Sequence, residues 1–194
     1  RAGVAMARIA IIVGHVKSPS FCDALAEAYR EGALAAGHTV DVFATARMTF
    51  DPILHEGFAR LQPLEPDLVP AHNAIMAADH LVIVFPLWLG DLPAILKGFL
   101  ERVLQPDVLP GAQAGKFATP LKGKSARIIV TMGMPAFVYR WWFRPHAVEI
   151  LKRNILGFVG VHPVRSTVVG SIETIGDAGR KRWLAGAHRA ARGH

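Results

Sequence analysis

The segment from Gly14 to Phe21 combines residue types that can bind a phosphate group. It reads Gly-His-Val-Lys-Ser-Pro-Ser-Phe, so hydroxyls and a cation lie between a short apolar run and the start of a helix. Backbone N–H groups at a helix start, with the positive end of the helix dipole, bind a phosphate or pyrophosphate. The segment matches neither G-x-G-x-x-G nor G-x-x-x-x-G-K-[ST], which disfavours a Rossmann dinucleotide site and a P-loop NTPase. An ordinary turn followed by a helix cap would use the same residues, so both interpretations stay open.

Two further segments could hold a planar, partly charged molecule. Phe85 to Leu92 reads Phe-Pro-Leu-Trp-Leu-Gly-Asp-Leu, and Thr131 to Tyr139 reads Thr-Met-Gly-Met-Pro-Ala-Phe-Val-Tyr. A planar ring requires flat apolar surface along its face and polar groups at its edge, and Trp88 with its neighbours can supply the apolar surface. The alternative is that Trp88 is buried for packing, as a tryptophan next to a strand end often is.

Five short runs rich in β-branched residues alternate with helical patterns, and this order places the three segments at one edge of a sheet. The predicted strands are Ile9–Val13, Val40–Phe43, Leu81–Phe85, Ala126–Thr131 and Val164–Val169. The predicted helices run from Phe21 to the closing Gly37, near Ala71 to Ala78, and over Leu92–Leu104, Pro145–Leu156 and Asp177–Arg189. The alternation indicates a parallel sheet with helices on both faces. Ligands bind such sheets beyond the carboxyl ends of the strands, where all three segments follow.

Length and composition indicate one globular domain. The chain has 194 residues, of which 52% are hydrophobic and 19% charged, and these values exclude disorder and fibrous repeats. We expect one domain over residues 1–194, with residues 1–7 as a disordered or extraneous lead. Mean hydropathy is +0.30, yet no stretch of about 18 residues is free of charge, so we expect a soluble protein without an integral membrane segment. The single cysteine, Cys22, favours a reducing compartment, and we expect the protein in the cytoplasm.

The charge balance favours anionic ligands. Lys and Arg exceed Asp and Glu by seven, and the pI is near 10.1. Part of this excess lies in the last predicted helix and the tail, where a solvated helix face is the simpler explanation, and we expect no nucleic-acid partner. The histidines do not have metal-ligand spacing, so we expect no metal.

The segment from Phe85 to Val103 resembles a motif of a known enzyme family. Its residues match Phe-Pro-Leu-x-x-x-x-x-Pro-Ala-x-Leu-Lys-Gly of the NAD(P)H:quinone oxidoreductases, the diaphorase-like flavoenzymes of flavodoxin-like fold. The first segment is similar to the family's His-Ser-x-x-x-Ser-Phe turn, with Val16 in place of the usual serine. Asp51-Pro52 and the spacing of the later elements extend the resemblance over nearly the whole chain.

This resemblance implies a flavodoxin-like doubly wound α/β fold, with a five-stranded parallel sheet in the order 2-1-3-4-5. It also implies a bound flavin, FAD or alternatively FMN, whose ring lies against the segment after the third strand. NAD(P)H is then the co-substrate, and a hydride passes through the flavin to a quinone-like acceptor by a ping-pong mechanism. The implied flavin-binding residues are His15, Ser18, Ser20, Phe21, Pro86, Leu87, Trp88, Leu89, Thr131 and Gly133.

Two residues correspond to the family's catalytic tyrosine and histidine. Tyr139 is in register with the tyrosine, and His146 is approximately in register with the histidine, although a helix-start histidine explains it as well. A phenol or imidazolium within hydrogen-bond reach would stabilise negative charge that develops during hydride transfer. Glu101 matches a family glutamate or simply pairs with a neighbouring cation, and Arg180 lies near an adenine-contacting arginine of FAD-binding members, although a solvated helix position is the preferred explanation.

The resemblance further implies a homodimer. Trp141, Trp142 and Phe143 would be costly to expose and suit an interface. Two alternatives to a quinone reductase stay open: a flavodoxin-type electron carrier, and a non-catalytic regulatory subunit of the same fold. Flavodoxin-type carriers tend to be small and acidic, whereas this chain is basic.

Overall fold

The computed structural model describes residues 6–106, 119–139, 141 and 145–193. Of the expected lead, residues 1–5 lie outside the described residues, and Ala7 is buried with its N–H donating to His38 Nδ1 at 3.2 Å. Residues 107–118, within the loop expected between Gln105 and Pro120, lie outside the described residues, as do Trp142 and Phe143.

A five-stranded sheet forms the centre of the molecule. The strands are β1 (Arg8–Val13), β2 (Thr39–Ala44), β3 (His80–Pro86), β4 (Ser125–Thr131) and β5 (Val164–Val169). All four strand pairs are parallel, and the order is β2-β1-β3-β4-β5. Every residue of the central strand β3 is buried, as expected for a parallel strand covered on both faces. The predicted doubly wound sheet and its strand order are confirmed.

Helices cover both faces of the sheet. They are α1 (Phe21–Ala35), α2 (Leu68–Ala77), α3 (Ala94–Val103), the single turn α4 (Ala136–Val138), α5 (His146–Glu149) and α6 (Gly176–Ala190). Alternate residues of a strand point to opposite faces, so Ile9, Ile11 and Val13 pack against α1 and α6. Ala10 and Ile12 pack with residues of α2 and α3 on the other face.

The predicted helix over Pro145–Leu156 differs from the observed one in its hydrogen bonding. After the α-helical turn of α5, residues Ile150–Leu156 form a π-helix. A π-helix has the same apolar stripe over so short a distance, so the sequence pattern cannot distinguish the two forms. Gly157 N–H donates to Lys152 O at 3.0 Å and closes this segment.

Arg102 fixes the irregular connection between β2 and α2. Its side chain is fully buried, and its guanidinium donates to Asp51 O at 2.5 Å, to Pro63 O at 2.6 Å and to Glu65 Oε1 at 2.9 Å. A buried guanidinium needs such partners, because an unpaired charge in the interior is costly. The segment from Asp51 to Glu65 is therefore held by hydrogen bonds although it has no regular structure.

Among the described residues, none of the helices has the length and apolar character needed to cross a membrane. The same part of the chain contains no cluster of three or more His, Cys, Asp or Glu residues that could hold a metal ion.

Candidate functional site

The three loops singled out from the sequence meet at the carboxyl edge of the sheet. Leu87 N–H donates to Thr131 O at 2.7 Å, which joins the loop after β3 to the end of β4. The rings of His15 and Trp88 meet edge to face with centroids 5.2 Å apart, which joins the loops after β1 and β3. The hydroxyl of Thr45, at the end of β2, donates to His15 O at 2.8 Å.

Ser20 caps helix α1, and its hydroxyl already donates one hydrogen bond and accepts another within the protein. The Ser20 Oγ atom accepts from Asp23 N–H at 3.2 Å and donates to the Asp23 carboxylate at 2.6 Å. Arg47 reaches to 3.9 Å from the other oxygen of that carboxylate. The free donors at this helix start are therefore the first backbone N–H groups, which no helix can satisfy internally. An anion at this end of α1 would be bound by the backbone, with the Ser20 side chain shaping the turn.

His15 is neutral at pH 7 and orients the loop after β1. Its Nδ1 atom accepts from Lys17 N–H at 3.0 Å, so the ring proton of the neutral form is on Nε2. Burial lowers the pKa of His15 below its ordinary value, while the nearby Asp23 carboxylate opposes this shift. Ser18, in the same loop, is exposed.

Trp88 begins a tight turn whose tip is apolar and exposed. Trp88 and Asp91 exchange backbone hydrogen bonds of 3.1 and 3.0 Å, and the residues between them have φ angles of 49° at Leu89 and 81° at Gly90. Two consecutive positive φ angles are typical of a type I′ turn, in which a leucine is strained. Trp88 is 41% exposed, so the tryptophan is not buried for packing. Pro86, at the end of β3, is buried, whereas Leu87 is half-buried.

Thr131 points into the protein and away from the loop edge. It is buried, and its Oγ1 atom lies 3.5 Å from the Sγ atom of Cys22 in α1. Burial raises the pKa of the Cys22 thiol to about 11, an increase that the Thr131 hydrogen bond partly offsets. Gly133, two residues further, is exposed and lies beside the Glu173 carboxylate. Of the two expected binding positions after β4, only Gly133 is therefore open to a ligand.

Tyr139 and His146 have contrasting environments. Tyr139 is 2% exposed and lies in the hydrophobic core, and among the described residues its hydroxyl has no partner at normal hydrogen-bond distance. Burial raises the pKa of Tyr139, the backbone N–H groups of Val148 and Ala147 partly offset this increase, and the Asp91 carboxylate adds to it. The phenol is thus protonated at neutral pH, and its own proton has no acceptor among the described residues. His146 is exposed at the first position of α5, and within the described part of the chain no hydrogen bond connects it to Tyr139.

Arg180, expected to be a solvated helix residue, and Glu101, with two explanations left open, have defined partners in the structure. The guanidinium of Arg180 lies 5.5 Å from the centre of the Phe21 ring and donates to Ile172 O at 3.1 Å. It is therefore not a freely solvated residue but a cation beside the first residue of α1. No local pattern in the sequence indicates its contact with Phe21, because the two residues lie on different helices. Glu101 pairs with Lys97 on the surface of α3, which is the simpler of the two explanations.

These residues fit a planar ring with an anionic tail. Trp88 and Leu89 expose apolar surface at the carboxyl edge of the sheet, and the Tyr139 hydroxyl in the loop after β4 has no partner at normal hydrogen-bond distance among the described residues. The start of α1, with Lys17 in the preceding loop and Arg180 beside it, offers backbone N–H groups and positive charge. This combination of apolar face, polar edge and anion-binding helix start is what a flavin nucleotide requires.

Comparison with protein families matches residues 7–192 to a family described by its flavodoxin-like fold. An uncharacterized NAD(P)H oxidoreductase of Haemophilus influenzae is 30% identical over 141 residues, covering 71% of this chain and 70% of that protein. NAD(P)H dehydrogenase [quinone] 1 of Cavia porcellus is 31% identical over 156 residues, which are 70% of this chain but only 56% of that enzyme. This chain thus spans little more than half the length of the guinea pig enzyme.

Two further proteins extend the comparison. FMN-dependent NADH:quinone oxidoreductase of Ruegeria pomeroyi is 25% identical over 156 residues, covering 67% of this chain and 76% of that enzyme. The solved structure of NAD(P)H:quinone oxidoreductase from Methanothermobacter marburgensis superposes with a TM-score of 0.82 and 28% identity, covering 97% of this chain and 96% of that one.

Proposed function

Because the chain belongs to the family of flavodoxin-like fold that contains NAD(P)H:quinone oxidoreductases, we propose that it binds a flavin and reduces a quinone-type acceptor with NAD(P)H. The observation that carries this proposal is the joining of three loops at the carboxyl edge of the sheet, with Trp88 exposed between them and packed against His15. A flavin bound there accepts a hydride from the nicotinamide and delivers two electrons to the acceptor.

The chain supplies a separate element for each part of the cofactor. Backbone N–H groups at the start of α1 bind phosphate, with Lys17 and Arg180 adding positive charge. Leu87, Trp88 and the turn that follows offer apolar surface to the ring. Gly133, which has no side chain, allows close approach to the loop after β4.

Tyr139 provides a hydroxyl that could stabilise negative charge developing on the ring. Its raised pKa keeps the phenol protonated, and its lack of a partner among the described residues leaves that proton free to donate. A donor placed before the reaction costs no reorganisation when negative charge develops. His146, which is exposed, is the less favoured of the two catalytic candidates.

FMN and FAD are both compatible with this arrangement. The FMN-dependent enzyme of Ruegeria pomeroyi supports FMN. FAD requires a further site for adenine, and Arg180, whose guanidinium lies 5.5 Å from the centre of the Phe21 ring, is a candidate for it. Mass analysis of the cofactor released from the purified protein distinguishes the two.

The activity is tested by spectroscopy and turnover. We expect a yellow protein with flavin absorption that is bleached anaerobically by NADPH or NADH and restored by a quinone. Bleaching without quinone turnover would favour an electron carrier. A colourless protein that cannot be reconstituted with either flavin would favour a regulatory subunit and contradict the proposal.

We further propose a cytoplasmic homodimer without a nucleic-acid partner. Phe137 and Trp141 are 66% and 86% exposed and lie after β4, beside the proposed ring site. Large exposed apolar side chains at one place on a surface mark a contact with another molecule.

A further inference from the structure

A cavity of about 110 Å³ lies between the sheet and helix α6, on the face that α1 also covers. Its wall is mostly apolar, formed by Leu25, Ile129, Val169, Trp183, Ala187 and Ala190. Arg127 and Thr167, neighbours across β4 and β5, supply the polar part of the lining. None of these residues belongs to the proposed flavin site.

Arg127 brings a positive charge to this cavity without an acidic partner. Among the described residues the buried Nε atom has no hydrogen-bond partner, and the Nη1 atom is 3.5 Å from Thr167 Oγ1, at the limit of a hydrogen bond. Among the described residues, no carboxylate forms an ion pair with Arg127. A partly buried guanidinium with unused donors is costly unless an anion pairs with it.

The neighbours of Arg127 add to the positive charge. Arg165 is its direct partner in the register of β4 and β5, and like charges directly opposite on one face of a sheet repel. The Tyr29 hydroxyl is close by: burial raises the pKa of this hydroxyl, and the charge of Arg127 together with a hydrogen bond from its guanidinium partly offsets the increase. Tyr29 also contacts His80, with its hydroxyl 3.2 Å from His80 Nε2. The end of the cavity lined by Arg127 and Thr167 is therefore cationic, and the rest of its lining is apolar.

We propose that this cavity binds a small monocarboxylate with a short hydrocarbon tail. The carboxylate would pair with the guanidinium fork of Arg127, whose planar donors match the two carboxylate oxygens. The tail would lie against Trp183 and the aliphatic side chains of the wall. A dry cavity of about 150 Å³ holds benzene, so the smaller volume here suits a tail of a few carbon atoms. Butyrate has this size and chemistry and serves as the probe.

The test measures binding of butyrate to the flavin-loaded protein by calorimetry and by the shift in melting temperature. Butanol has a similar tail without the charge, and sodium chloride at equal ionic strength supplies an anion without the tail. We expect saturable binding and stabilisation with butyrate and neither with butanol nor with chloride. Equal stabilisation by butanol, or by chloride, would overturn the proposal.

Two variants locate the site. Arg127→Met removes the cation and should weaken butyrate binding by roughly tenfold or more, because one partner of a charged pair is lost. Gly186→Leu keeps the cation but fills the cavity, since a side chain at Gly186 enters open space on the cavity side of α6. Gly186→Leu should abolish butyrate binding. Because leucine has a higher helix propensity than glycine, this variant should fold and can test the site even if Arg127→Met does not fold.

Lys181→Met is the matched control, because it removes an exposed cation from the same helix. It should leave the affinity for butyrate unchanged. Flavin content should stay the same in all three variants, since the cavity shares no residue with the flavin site. Butyrate binding that survives both Arg127→Met and Gly186→Leu would show that the cavity is not the site.

Discussion

At the scale of single residues, the site depends on which donors are already used. The hydroxyls of Ser20 and Thr131 are bonded within the protein, whereas that of Tyr139 has no partner among the described residues. A buried hydroxyl without a partner lowers stability, because its desolvation is not compensated. Such a group at the edge of a binding site is a candidate for a role in function rather than in folding.

Tyr139→Phe tests this role directly. If the hydroxyl donates to developing negative charge, its removal should slow flavin reduction by NADPH roughly 10- to 150-fold, the equivalent of about 1.5–3 kcal/mol. Flavin content should not change, and stability should stay equal or rise by about 1 kcal/mol because an unsatisfied polar group is removed. Stopped-flow reduction and urea unfolding measure the two effects. A rate equal to that of the wild type would make Tyr139 a packing residue.

The pH dependence of this step follows from the same residue. The pKa of Tyr139 is raised above the ordinary value of 10, so the donor stays protonated throughout the neutral and mildly alkaline range. The rate advantage of wild type over Tyr139→Phe should therefore be constant from pH 6 to about pH 10 and fall only above it. A ratio that falls near pH 8 would assign the donor to another group.

Cys22 makes stability depend on alkaline pH. Its thiol has a pKa of about 11 in the folded protein, against 9 for the ordinary thiol. The unfolded chain therefore loses this proton at lower pH than the folded protein does. The contribution of the neutral thiol to the free energy of unfolding is fully present below pH 9 and is lost as the pH rises to 11. The loss is about 3 kcal/mol in total. Cys22→Ala should show a flatter decline between these pH values in urea unfolding, and parallel curves would contradict the raised pKa.

At the scale of elements, caps and turns determine what the loops can do. The Ser20 cap starts α1 at Phe21, and the exchange of hydrogen bonds between Trp88 and Asp91 holds the turn after β3. The turn after β3 is held by backbone groups, so the side chains at its tip are left for contact with other molecules. Leu89 illustrates this, because the turn exposes it fully although its backbone is strained.

Leu89→Asn separates the stability of this turn from its function. Asn-Gly is favoured where two successive residues have positive φ, so the variant should gain about 1 kcal/mol in the free energy of unfolding. If the leucine side chain contacts the ring or the acceptor, the KM for quinone should rise at the same time. Gly90→Ala is the control, since it strains the same turn and should lower stability without removing an apolar side chain. An unchanged KM in Leu89→Asn would mean that the exposed leucine has no part in binding.

The start of α1 gives a second prediction at this scale. Ser20→Glu places a carboxylate at the phosphate site and should release the flavin. Ser20→Ala removes only the helix cap, which should lower the free energy of unfolding by about 1 kcal/mol, and this variant should retain the flavin. The retention is expected because the Ser20 hydroxyl is already bonded to Asp23. Thr39→Glu, exposed at the amino edge of the sheet, controls for added charge. Flavin absorbance per protein is the measurement, and normal content in Ser20→Glu would place the phosphate elsewhere.

At the scale of the whole molecule, charge and exposed apolar surface act together. The net charge of +7 attracts polyanions such as NAD(P)H, and this attraction weakens with salt. Exposed Phe137 and Trp141 lie at the same edge as the proposed ring site. Association of two chains there would cover apolar surface and narrow access to the ring.

Trp141→Ser tests this association. The variant should raise the monomer fraction in sedimentation velocity or weaken the binding of bulky quinones, because a large interface aromatic is lost. Phe158→Ser is the control: Phe158 is 52% exposed but precedes β5, at the opposite edge of the sheet. Sedimentation and quinone kinetics that both stay unchanged would leave Trp141 outside any interface.

The sequence by itself determined the fold and predicted where the site should lie. Short apolar runs rich in β-branched residues, such as Leu81 to Phe85, are typical of strands buried on both faces. The helical patterns between these runs indicate crossover connections and therefore parallel pairing of the strands. The carboxyl edge then follows from topology, and the motif at Phe85 to Val103 supplied the family. These features are local in the chain, so they can be recognised without knowledge of the tertiary structure.

Only the tertiary structure decided which side chains face the site. Thr131 turns inward to Cys22, Arg180 crosses from α6 to the ring of Phe21, and Arg127 faces a cavity with no acidic partner in the described part of the chain. Each of these environments depends on residues from different elements. Thr131 and Cys22, for example, are 109 positions apart in sequence. Sequence periodicity assigns a residue to a face of its own strand or helix, but the partner on the facing element depends on how the elements pack.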